Sequence, residues 1–129
     1  MNWQTMKDTA NLKDGVQIVV RMTWDIDPTR PTYTIGTIFN GKPLVPGREY
    51  YLDCFHKEWC RINNEASRWN DMSTLADAPA CQPILLRYEL RGKERYQIVY
   101  KSLGGDVSYP STPVRTGWMM LSDNIGEAI

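Results

Sequence analysis

The feature that most limits what this chain can fold into is a pair of alternating segments on either side of one glycine. Ile84, Leu86, Tyr88 and Leu90 alternate with Leu85, Arg87 and Glu89. After a turn around Gly92, within Arg91–Glu94, Tyr96, Ile98 and Tyr100 alternate with Arg95, Gln97, Val99 and Lys101. Successive side chains of an extended strand point to opposite faces, so this pattern predicts an antiparallel hairpin. A lone hairpin is marginal in water and needs further strands or a covering element.

The rest of the chain offers both. Asp14-Gly15 marks a tight turn, after which Val16, Ile18, Val20 and Met22 fall on one face of a strand over 16–24, with Gln17, Val19, Arg21 and Thr23 on the other. Asp25 to Pro31, with two prolines and two aspartates, reads as a connecting loop. Thr32 to Phe39 reads as a second strand, in which Gly36 signals a bulge or a close backbone approach. Asn40-Gly41 then turns the chain, completing an antiparallel meander. Gly104-Gly105 breaks the hairpin, Tyr109 to Pro113 is a proline-bounded loop, and Gly117 to Leu121 reads as a last short strand.

One stretch departs from strand spacing. Phe55, Trp59, Ile62, Ala66, Trp69 and Met72 follow one another at steps of four, three, four, three and three. That spacing predicts an amphipathic helix over 53–72, with Asp53 as its N-cap. The resulting expectation is an α+β fold: a curved antiparallel sheet or small open β-barrel of about five strands, with one amphipathic helix over a face or an opening.

A chain of 129 residues has the size of one domain, and a single domain over 1–129 is expected. Fifteen basic and fifteen acidic side chains cancel to a net charge of zero. A nucleic-acid partner normally calls for a basic excess, so the charge argues against one. The longest apolar run is too short to span a membrane, and no partner membrane is expected. Three cysteines, an odd number, and an N-terminus without a secretory signal point to a reducing compartment, the cytoplasm.

Cys54, His56 and Cys60 lie close together, and Cys81 could join them; these are zinc-ligand residue types, but not at the paired spacing of a zinc knuckle. Small buried cysteines and an ordinary polar histidine account for them, so no metal and no other cofactor is expected. With a single histidine and no nucleophile-elbow or phosphate-cradling motif, no catalytic residues are assigned and the chain reads as a non-enzyme. Arginines and aromatics give the more suggestive set. Arg87, Arg95 and Arg115 offer bidentate donors, while Tyr100, Tyr109 and Trp118 offer stacking faces or contact area, so these six are the candidate ligand- or partner-binding residues. The same residues are also what any half-exposed sheet displays, with arginine stems lying over aromatic rings.

The two ends carry a resemblance. Trp3-Gln4-Thr5-Met6, followed by Asp14-Gly15 and Ile18-Val19-Val20, and Thr116-Gly117-Trp118-Met119-Met120-Leu121 at the other end, resemble the termini of a group of short phage and prophage proteins of unknown function. Those proteins commonly close on Thr-His-Trp-Met-Pro-Leu-Pro; here Gly117 stands for the histidine, and Met120 and Ser122 stand for the prolines. The resemblance implies a phage or prophage accessory protein acting in a bacterial host cytoplasm. The function expected on these grounds is to bind and inhibit a host protein, a defence component among the candidates. The alternative is a small-molecule binder that sequesters a nucleotide-sized anionic ligand through arginines and aromatics. Self-association into a homo-oligomer stands open beside both.

Overall fold

A computed structural model describes residues 3–24, 27–45, 55–107 and 114–125. The chain divides into two compact units, residues 2–62 and residues 63–129.

The first unit is built outward from β2 (Gln17–Trp24), whose β-branched run pairs on both sides. Val20 faces Thr34 on β3 (Asp27–Phe39) across one edge, and Trp59 on β5 (Phe55–Arg61) across the other. With β1 (Gln4–Thr5) and β4 (Lys42–Leu44) at the edges, the antiparallel order is β1-β5-β2-β3-β4. Ile18, Val20, Met22, Ile38, Val45 and Trp59 form one core cluster, as the alternation of β2 requires. The Trp59 indole N–H is buried with them and donates to the Thr5 carbonyl at 2.9 Å.

Local chemistry sets the β3–β4 turn. Asn40 and Gly41 take φ of 51° and 76°, the left-handed pair that a two-residue hairpin turn needs. Asp14 Oδ1 accepts from the Asn40 amide at 2.9 Å, tying this turn to the Asp14-Gly15 turn. Gly36 is a close backbone approach: an added Cβ would lie 3.0 Å from both Pro43 Cβ and Val20 Cγ2.

Two expectations are corrected in this unit. From residue 55 on, the helix expected over 53–72 is replaced by strand β5 over Phe55–Arg61, followed by short 3₁₀ turns at Ala66–Arg68 and Met72–Asp77, and its expected cap, Asp53, lies outside the described residues. Pairing with β2 on one side and β1 on the other outweighs the helical spacing, and Ala66, central to the expected stripe, is exposed. The loop over 25–31 is likewise largely strand, since β3 starts at Asp27. Its two prolines are tolerated because β4 reaches only Thr37–Phe39, leaving the start of β3 an edge on that side among the described residues.

The second unit holds the expected hairpin. β6 (Pro83–Leu90) and β7 (Lys93–Tyr100) meet at Arg91-Gly92, a tighter turn than Arg91–Glu94, with φ of 52° and 78°. β8 (Arg115–Met120) pairs with the other edge of β6, giving the order β7-β6-β8. Ala78, Ile84, Leu86, Val99 and Trp118 form its core cluster, with Met72, Leu75, Val107 and Met120 packed against them. β8 runs directly into α1 (Leu121–Ile125), the α-helix among the described residues. Antiparallel sheet thus dominates, with one short helix, as the α+β expectation required. No described helix is long and apolar enough to cross a membrane.

Candidate functional site

The sheet of the second unit sorts the six candidate residues. Leu86 pairs with Gln97 and Trp118, and Tyr88 pairs with Arg95 and Arg115, so Trp118, Arg95 and Arg115 share the face of Leu86 and Tyr88. Arg87 pairs with Tyr96 and Gly117 and belongs to the opposite face, as does Tyr100, two steps beyond Ile98. Tyr109 lies outside the described residues. The arginines grouped by sequence are therefore divided between two surfaces.

On the Arg87 face, an interlocked cluster forms around a residue outside the candidate set. The Arg87 guanidinium carbon lies 4.9 Å from the centroid of Trp69, within cation–π range. Trp69 in turn stacks on Tyr96. Arg87 Nε donates to Thr116 Oγ1 at 3.2 Å, and the Trp69 indole N–H donates to the Asn63 carbonyl at 3.1 Å. The Tyr96 hydroxyl lies 2.7 Å from Asn64 Oδ1 and 3.1 Å from Glu94 Oε2, two acceptors for its one proton. Burial, seconded by the Glu94 carboxylate, pushes the Tyr96 phenol up to about 12, against a smaller opposing pull from Arg87. Trp69 is only 9% exposed, so it offers no open ring face to a base.

On the other face Arg115 is 9% exposed and directs both Nε, at 2.9 Å, and Nη2 to Gln97 Oε1. Its guanidinium carbon sits 5.4 Å from the Tyr88 centroid. Tyr88 is thus flanked by an arginine on each neighbouring strand. Trp118 is buried in the core, its indole N–H shared between the Asp71 carbonyl and Thr74 Oγ1, each at 3.1 Å. The Asp71 carboxylate accepts from the Ser73 amide at 2.8 Å, which holds its pKa below the usual range.

The residues that carry the terminal resemblance also pack. Trp3 is buried against Tyr33 at 6.1 Å between centroids, and the Arg21 guanidinium carbon lies 4.3 Å from its ring while Arg21 Nη2 reaches Glu58 Oε1 at 2.6 Å. Of the cysteine–histidine set, Cys60 is fully buried and Cys81 is exposed; Cys54 and the His56 side chain lie outside the described residues. Among the described residues, no three His, Cys, Asp or Glu side chains gather as a metal site would require.

Large apolar side chains do reach the surface elsewhere. Phe39 is 55% exposed and Leu44 52% exposed. Phe39 pairs with Lys42 and Thr37 pairs with Leu44, so Phe39 and Leu44 are diagonal neighbours on one face. They lie at the β4 edge of the first sheet. Ile38 exchanges its amide and carbonyl with Val16 and Gly15 on the β2 side, so its partner Pro43 directs its own backbone nitrogen outward. Sequence reasoning passes over this pair because it assigns no strand to Lys42–Leu44 beyond the Asn40-Gly41 turn. The signal was present: a two-residue Asn40-Gly41 turn fixes the register that aligns Phe39 with Leu44.

No family model, curated protein or solved structure matches the chain.

Proposed function

We propose that this chain is a non-enzymatic binding protein of phage or prophage origin that inhibits a host protein by covering part of its surface with the Phe39–Leu44 edge. The observation that carries the reading is the pairing of two large exposed apolar side chains, one aromatic, on one face at a sheet edge. Such an anchor suits the apolar centre of a protein interface. Pro43 supplies no outward N–H, so the contact is made through side chains rather than by adding a strand. The terminal resemblance supports a host protein as the class of partner. To test this, wild type and a Phe39→Asp/Leu44→Asp variant are compared as baits in bacterial lysate, with circular dichroism and melting curves as fold controls. Retention of a host protein by wild type and its loss from a folded variant is expected. Equal retention by both, or by neither, overturns the reading.

A nucleotide-sized anionic ligand is the second reading, supported by the placement of Arg95 and Arg115 on either side of Tyr88. It predicts a nucleotide adduct in native mass spectrometry that Arg95→Ala abolishes. Absence of any adduct across a panel of cellular nucleotides removes it.

A further inference from the structure

A cavity of about 340 Å³ opens on the core face of the first sheet, opposite the face that presents Phe39 and Leu44. Val20 and Met22 supply its floor and Val45 part of its wall, while Lys7, Lys42 and Lys57 also line it. Lys7 and Lys57 come from two separate elements, the 3₁₀ turn Met6–Asn11 and β5, while Lys42, the register partner of Phe39, contributes from the edge strand and belongs with its side chain to the other face. Lys57 is the register partner of Met22, which puts it on the same face as the floor. No acidic side chain is among the described lining residues. Among the lining residues, Thr9 Oγ1 donates to the Gly41 carbonyl at 2.7 Å, and Gly41 fits against Ala10, where an added Cβ would come within 3.1 Å of Ala10 Cα.

The geometry points to a single-chain anionic amphiphile as the ligand of this cavity. An apolar floor takes a hydrocarbon tail, and the ammonium groups of Lys7 and Lys57, with no carboxylate among the described lining residues, take an anionic head. The volume is near the lower end of the roughly 300–1,000 Å³ of small-molecule pockets, which fits one chain of medium length rather than a two-chain lipid. Lysine stems add apolar wall while keeping their charge at the solvent side. This assignment does not rest on the protein-binding reading, which uses the other face.

Decanoate, with decylamine and decanol as cationic and neutral controls, tests the assignment on the 129-residue chain by titration calorimetry. Saturable one-to-one binding of decanoate is expected, with affinity rising roughly fourfold per methylene from hexanoate upward. A Lys7→Gln/Lys57→Gln variant should lose at least about tenfold in decanoate affinity, the size of one charge-assisted contact, with decanol affinity unchanged. Should the double variant not fold, methyl NMR of wild type decides instead: decanoate is expected to shift Val20, Met22 and Val45. No saturable decanoate binding, decylamine binding as tightly, or shifts confined to other methyl groups would overturn the assignment. Decyl phosphate, run alongside, distinguishes a carboxylate from a phosphate head group.

Discussion

Trp69 stacks on Tyr96 with ring centroids 5.7 Å apart and planes inclined by 28°. The contact joins a loop tryptophan to the middle of β7 and leaves the Tyr96 hydroxyl between Asn64 and Glu94. Offset stacking of this kind contributes about 0.5–1.5 kcal/mol beyond area burial.

The Tyr96 phenol should make stability fall at high pH. Its pKa is raised from 10.0 to about 12, so the folded state holds the proton more tightly than the unfolded chain. The contribution is therefore fully present below pH 10.0 and lost as pH rises from there towards about 12. Urea unfolding at a series of alkaline pH values should show a steeper decline for wild type than for Tyr96→Phe. At neutral pH the same variant should lose about 0.5–1.5 kcal/mol with its hydrogen bond.

Gly117 leaves room for the Arg87–Trp69 contact. A Cβ there would lie 3.2 Å from Arg87 Nη2, 3.3 Å from Trp69 Cβ and 3.4 Å from the Asn70 carbonyl oxygen. Gly117→Val should destabilise the protein by about 1–3 kcal/mol through overpacking. Placing it on an Arg87→Ala background should shrink that penalty, giving a measurable coupling in a double-mutant cycle.

Pro43 withholds the amide that would point outward from the β4 edge. Pro43→Val restores that donor on a strand already flanked by exposed Phe39 and Leu44. Sedimentation velocity should show concentration-dependent self-association of the variant that wild type lacks at the same concentrations.

Thiol access should separate the cysteines. In a Cys54→Ser background, Cys81 should react promptly with a maleimide under native conditions, and fully buried Cys60 only after unfolding. Peptide mass mapping reads which thiol carries the label.

How far the fold was legible in the sequence depended on whether independent local signals agreed. At β6–β7 the alternation and the Arg91-Gly92 turn pointed the same way, and the hairpin followed. At 53–72 the spacing of Phe55, Trp59 and Ile62 fitted a helix, yet Trp59 serves the first unit by pairing with Val20, while Trp69 serves the second by stacking on Tyr96. One apparent stripe was two unrelated sets of contacts on either side of residue 62. The candidate site suffered for the same reason: Trp69 was counted with the helix and missed beside Arg87. Composition could list arginines and aromatics, but only strand parity could say that Arg87 and Arg115 face opposite ways.

Among the described residues, no strand pairs across residue 62. β1 closes on β5 through Gln4 with Trp59 and Thr5 with Glu58, and β6 takes its partners from β7 and β8. A chain emerging from the ribosome therefore has every strand of its five-stranded sheet available once Arg61 has cleared the exit. The three-stranded sheet must wait for Arg115–Met120, more than fifty residues later, to cover the second edge of β6. Translation itself separates the assembly of the two sheets in time, and the first can be paired before the second has a complete sequence to fold.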